Sequence, residues 1–195
     1  MRITDPKAMR AMAHPLRLDL IELLGTVGTL TAAACARRLG SSQANCSFHL
    51  RQLAKYGFVE QAAPSGDSRE RPWRLTDIEQ SWSTTDGGAA ATELERVFVQ
   101  READRILAWQ SAGAQVPEQW RRASFVGGAT LPVTVDELED LRNRMHDLLG
   151  PYVERLGHPE TWPDGHRFVR ILLAGTPVGH LSSEGLNRES STSSE

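Results

Sequence analysis

Apolar residues recur at helical spacing in the first third of the chain, and residues that start or stop helices punctuate them. Pro6 after Asp5 predicts the start of a first helix. Pro15 opens a second, which turns Leu16, Leu20, Leu23 and Leu24 inward and is expected to stop at Gly25. Thr31 is placed to cap TAAACARRL, and Gly40 to close it. After Ser41 alone, Ser42 can cap QANCSFHLRQLAKY, which runs to Gly57. In that fourth helix Cys46, Leu50 and Leu53 recur at i, i+4 and i+7 and give a buried face, while Gln43, Ser47 and Arg51 share a polar one. FVEQA and RPWRL then read as two strands, and the turn-rich PSGDSRE between them predicts a hairpin with a flexible tip.

Behind the hairpin the pattern is looser. Residues 84–88, TTDGG, predict a hinge, followed by a long helix bearing Leu94, Val97, Phe98, Ile106 and Trp109. Residues 113–118 break it, and a short turn surrounds Trp120. Thr134 and Glu137 have the spacing of a capping box before an amphipathic helix with Leu138, Leu141, Met145, Leu148 and Tyr152 on one face. Pro151 is expected to end or kink that helix, and RFVRILLAG reads as a strand. Residues 180–195, rich in Ser and Glu, predict a disordered tail. The fold class is therefore mainly α with a small β component. Residues 1–80 form one domain, residues 88–178 a helical or α+β lobe, and residues 179–195 a tail.

Composition narrows the class. A 195-residue chain with 39% hydrophobic residues can build packed domains and is not wholly disordered. No apolar run approaches the roughly 18 residues a membrane span needs, and MRITDPKAMR lacks the apolar core of a signal peptide. A cytoplasmic protein without a membrane partner is expected. Two cysteines, Cys35 and Cys46, are too few for a disulfide framework and fit a reducing compartment. The net charge of −3 conceals an asymmetry: residues 1–78 carry 11 Lys and Arg against 7 Asp and Glu, and residues 79–195 carry 11 against 18. A basic front and an acidic back point to nucleic-acid binding by the front alone.

A helix, turn, helix unit followed at once by a basic hairpin suits duplex DNA. One helix fits the ~12 Å major groove while the hairpin reaches the adjoining backbone. The ordered segments HPLRLDLIELLG, LTAAACARRLG and SSQANCSFHLRQLAKYGFVE resemble the ArsR-like winged helix-turn-helix regulators over residues 5–78. The resemblance implies a homodimeric transcription factor whose fourth helix enters the major groove of double-stranded DNA. Carried over by position, its DNA-facing residues are Ser42, Gln43, Asn45, Ser47, His49 and Arg51, with Arg69 and Arg71 in the wing. The long helix after the wing becomes a dimer interface of Leu94, Val97, Phe98, Ile106 and Trp109. One departure matters: where metal-sensing members carry Cys-x-Cys, this chain has Thr31 and Ala33, so no metal site and no cofactor is expected.

Other chemistry is weaker in the sequence. The six histidines, His14, His49, His146, His158, His166 and His180, form no HxxxH pair. The acids of residues 136–140 suit the first turn of a helix, where its dipole favours them, and no nucleophile elbow, P-loop or dinucleotide fingerprint appears. Catalysis is not expected. The function expected is a sequence-specific transcriptional regulator, a repressor on an inverted-repeat operator. One alternative is a regulator answering a small-molecule effector held by Trp82, Trp109, Trp120 and Trp162, although packing is the preferred explanation of these tryptophans, because a small lobe needs large side chains to bury enough surface. The other is a protein-interaction module that uses a winged fold without reading DNA.

Overall fold

The computed structural model describes residues 1–63, 71–78, 80–111 and 116–179. They fall into two units, Met1–Gly127 with Tyr152–Phe168 and Gly128–Pro151 with the described part of Val169–Glu195. The expected flexible wing tip and disordered tail lie outside the described residues. No described helix is long and apolar enough to cross a membrane.

In the first unit, helices α1 (Pro6–Met12), α2 (Pro15–Val27), α3 (Ala32–Leu39) and α4 (Gln43–Lys55) start where capping chemistry allows. Asp5 accepts from the Lys7 amide at 2.9 Å, Thr31 from Ala34 at 3.2 Å and Ser42 from Asn45 at 3.1 Å. These hydroxyl and carboxylate oxygens satisfy amides that the first helical turn leaves without a carbonyl. The cap of α2 is a histidine: His14 Nδ1 accepts from the Leu16 amide at 3.2 Å. Gly40 ends α3 at φ 61°, a left-handed position that glycine takes without the Cβ penalty.

Helix α2 runs past Gly25, contrary to the expected stop, and ends at Gly28, where φ is 85°. Gly25 has a different job. A Cβ there would come within 3.2 Å of Leu75 Cδ1, so the bare backbone lets the wing approach the helix.

The wing pairs β1 (Val59–Gln61) with β2 (Trp73–Leu75) antiparallel, in the register Val59 to Leu75, Glu60 to Arg74 and Gln61 to Trp73. Leu30, between α2 and α3, bridges the far edge of β2. It accepts from the Trp73 amide at 2.7 Å and donates to the Trp73 carbonyl at 2.9 Å. The hairpin is thereby fastened to the helix-turn-helix. Met9, Leu20, Cys35, Cys46, Leu50, Leu53 and Phe58 are all buried in the core that these elements share, each large apolar side chain contributing about 2 kcal/mol by leaving water. Four helices with a two-stranded wing on one core constitute a winged helix-turn-helix.

Helix α5 (Thr84–Ser111) includes the residues expected as a hinge and is kinked at Gly88 (φ 54°, ψ −145°). Beyond it α5 packs on α1, and Ala91 and Leu94 enter the core. A short α6 (Glu118–Ala123) surrounds Trp120. An ion cluster ties α5 to α2. Arg101 binds Asp19 at 2.7 Å, Glu22 at 2.6 Å and Glu102 at 2.8 Å, and Arg105 adds a bond to Glu22 at 2.9 Å. Burial pushes the Glu22 carboxyl upward, but the hydrogen bonds from Arg101 and Arg105 prevail and hold it below the usual range.

The second unit is built on α7 (Val135–Glu154), whose last residues pass into the first unit. The capping box forms reciprocally: Thr134 accepts from the Glu137 amide at 3.2 Å, and the Glu137 carboxylate accepts from the Thr134 amide at 2.8 Å. Pro151 does not end the helix. It sits in the final turn, where the loss of one amide donor does not propagate, and Arg155–Gly157 continue as a 3-10 turn. The lobe behind the wing is helical rather than α+β among the described residues. RFVRILLAG forms no strand, because an alternating apolar run becomes one only against a second strand and none lies beside it in the described chain.

Candidate nucleic-acid interface

The polar face of α4 and the wing converge. Gln43, Ser47 and Arg51 of α4, Gln61 of β1, Arg71 just before β2, Trp73 of β2 and Ala32 of α3 line one open cleft of about 190 Å³. The convergence follows from spacing. Positions 43, 47 and 51 repeat every four residues and stack along one side of the helix, while Arg71 stands two residues before Trp73, the first residue of β2. The register that sets Gln61 opposite Trp73 brings the amide to the same cleft. Gln61 and Trp73 were not anticipated at the site, although the alternation in RPWRL contained the signal.

Each expected DNA-facing residue can now be placed. Ser42 and Asn45 are exposed at the start of α4, where Ser42 serves as the cap and Asn45 Nδ2 donates to Ser41 Oγ at 3.2 Å. Gln43 and Arg51 are exposed and Ser47 is half-buried. Arg71 is exposed beside them, whereas Arg69 lies outside the described residues. His49 does not join this face. It is only 7% exposed, one position before the core residue Leu50, and its ring packs against His14 with centroids 4.4 Å apart. Phe48 takes the outward place, 51% exposed and edge-on to His49.

Burial lowers the pKa of both His14 and His49, and the nearby Arg17 pushes each the same way. Burial also lowers the Arg17 pKa. The His49 Nδ1 and Arg17 Nε atoms have no hydrogen-bond partner among the described residues. The His14–His49 contact therefore favours the neutral form of both imidazoles.

Cys35 and Cys46 are wholly buried where α3 meets α4. Burial raises the Cys35 thiol to about 11 and the Cys46 thiol above its ordinary value, so both are protonated core side chains. Three of the tryptophans considered for an effector are engaged in packing. Trp82 meets Phe98 edge-on at 5.6 Å, Trp162 meets Phe168 at 5.2 Å, and Arg167 lies over Trp120 at 6.0 Å.

The five α5 residues expected at a dimer seam divide. Leu94 is wholly buried in the chain's own core, because the start of α5 packs on α1, and it has no surface left for a second copy. Val97 and Phe98 are half-buried against the same core. Ile106 is half-buried and Trp109 is 37% exposed, next to the more exposed Leu107.

Comparison with known proteins agrees with the front of this arrangement. A helix-turn-helix domain family matches residues 12–62, the span from the end of α1 to β1. No curated protein matches the chain. Among solved structures, a doubly substituted Lactococcus lactis ZitR in its apo form is 17% identical. That match covers 54% of this chain and 70% of the other, with a TM-score of 0.30. A crystal structure of a transcriptional regulator is 21% identical over 72% of this chain and 85% of the other, with a TM-score of 0.28. Neither likeness is close enough to place a residue.

Proposed function

We propose that the chain is a sequence-specific, DNA-binding transcriptional regulator that acts by binding rather than by catalysis. The observation that carries the reading is the shared cleft of α4 and the wing, where Gln43, Ser47 and Arg51 stand beside Arg71. An amide and a guanidinium are the side chains that read adenine and guanine edges in the major groove. Arg71 and the exposed cap of α4 would hold the phosphates that set position. The match of residues 12–62 to a helix-turn-helix domain supports the same reading.

The regulator is proposed as a homodimer on an inverted repeat, acting as a repressor by occluding its site. Its dimer contact includes the outer side of α5 at Ile106, Leu107 and Trp109. Two-fold symmetry would set the two α4 helices about 34 Å apart, one turn of DNA.

The experiment is a gel shift and footprint on the promoter region of the protein's own gene at two salt concentrations. Binding that weakens steeply with salt and protects two half-sites is expected. Absence of binding at low salt would favour the protein-interaction alternative.

A further inference from the structure

Phe48 has no part in the cleft and none in the core. Of the large apolar side chains in residues 12–62 only Val27 and Phe48 are exposed, and Phe48 is the more open, at 51% against 38%. Packing gives no reason for it, because the apolar face of α4 is already supplied by Cys46, Leu50 and Leu53, each wholly buried. The ring is nonetheless held. It stands edge-on to His49, with centroids 5.2 Å apart at 81°, and His49 is only 7% exposed and in contact with His14. An aromatic side chain that already rests on a buried partner loses little further freedom when something covers its open half.

Its position on the helix narrows what that cover can be. At about 100° per residue, Gln43, Ser47 and Arg51 hold the side of α4 toward the wing, and Ala44, Lys55 and Phe48 continue the same arc away from it. Ala44 and Phe48 are four residues apart and lie side by side along the helix, both exposed. Arg51 and Lys55 border them with positive charge, which suits a polyanion. One ring and one methyl also fall far short of the roughly 800 Å² that each partner gives to a stable protein interface.

A helix that sets Gln43, Ser47 and Arg51 against base edges turns the adjoining stripe into the same major groove. The edges displayed there are hydrogen-bond donors and acceptors, and among the four bases only thymine adds an apolar group, its 5-methyl. We infer that Phe48 is a specificity-determining residue that packs its ring against the 5-methyl of a thymine, with the small Ala44 beside it leaving the methyl room. Gln43 and Arg51 address purines by hydrogen bonds, and Phe48 adds a pyrimidine read by apolar contact. The inference rests on the proposed reading of α4 as the helix that enters the groove.

The test changes the DNA before it changes the protein. In the duplex footprinted on the promoter region of the protein's own gene, each thymine of a half-site is replaced in turn by deoxyuridine, which removes the methyl and keeps the hydrogen-bonding groups. Wild type should lose affinity about 3- to 10-fold at a single position in each half-site. Phe48→Ala should bind the thymine duplex more weakly by a similar factor and be indifferent to deoxyuridine at that position. Phe48→Leu keeps an apolar contact, should fall between the two, and decides the matter should Phe48→Ala misfold. A wild type that tolerates deoxyuridine everywhere overturns the inference. So does a Phe48→Ala variant that binds weakly yet retains the full deoxyuridine loss, the mark of a merely structural ring. Either result leaves α4 standing as the base-reading helix, whereas a wild type that binds no duplex specifically removes that reading and this inference together.

Discussion

The rings of His14 and His49 lie 4.4 Å apart at an interplanar angle of 37°, joining the capped start of α2 to the middle of α4. The contact is built for neutral imidazoles: His14 Nδ1 accepts the Leu16 amide, and the His49 Nδ1 has no partner among the described residues. Both pKa values are lowered from 6.5, first by burial, and Arg17 adds to this, while Asp19 opposes it weakly at His14. Below about pH 6.5 the unfolded chain therefore takes up more protons than the folded one. The stability these rings contribute is whole above that value and is lost as the pH falls through their lowered folded values. Urea unfolding should show the midpoint falling between pH 7.5 and pH 5.5, a window above the carboxylate titrations, and the fall should be smaller in His49→Gln. An equal fall in the variant would remove the pair as its cause.

Arg101 offers a test of the coupling between α5 and the helix-turn-helix. Its side chain is 9% exposed and that of Glu102 only 2%, so Arg101→Met leaves Glu102 buried and without that guanidinium. Losing one partner of a buried pair costs about 3 kcal/mol. Chemical denaturation should show a loss of that size with an unchanged slope. A change under about 0.5 kcal/mol would mean the cluster is an ordinary surface network.

Two glycines should respond differently to the same methyl group. At Gly87 a Cβ would meet Ala91 Cβ of the same helix at 2.5 Å and Met9 Sδ of α1 at 2.7 Å, so Gly87→Ala must distort the start of α5 and displace the Met9 side chain, and should cost about 1 to 3 kcal/mol. At Gly25 the nearest atom is the flexible end of Leu75 at 3.2 Å, and the gain of about 1 kcal/mol in helix propensity works against the crowding. Gly25→Ala should therefore change the unfolding midpoint little. Equal losses at both positions would show that the crowding by Ala91 and Met9 is not what Gly87 avoids.

What could be read in advance was what depends on neighbours along the chain. Thr31, Ser42 and Thr134 each announce a helix by their own hydroxyl, and the four-residue spacing of Gln43, Ser47 and Arg51 made their common face visible before any packing was known. What depends on distant partners was hidden. Gly25 and Gly28 look alike in sequence, and only the position of Leu75 shows that the first is a close approach and the second a stop. Leu94 carries an apolar side chain whether α1 or a second copy covers it, and RFVRILLAG has a strand's alternation without a strand beside it. His49 sits among DNA-facing positions in order, but helical geometry turns it inward onto His14.

The wing should act through charge rather than through base identity. Replacing Arg71 with Ala should weaken binding to specific and random duplexes by similar factors, and should reduce the slope of log affinity against log salt by about 1. A loss confined to one sequence would make Arg71 a base reader.

The most direct test of the central claim is the affinity of Gln43→Ala for an operator half-site compared with random DNA of the same length and salt. Gln43 lies in the cleft that α4 shares with the wing, and an amide paired with one adenine contributes to that sequence alone. A loss of ~1 to 3 kcal/mol on the operator with little change on random DNA is the predicted result. Equal losses on both, or none on either, would contradict the assignment of α4 as the helix that reads sequence.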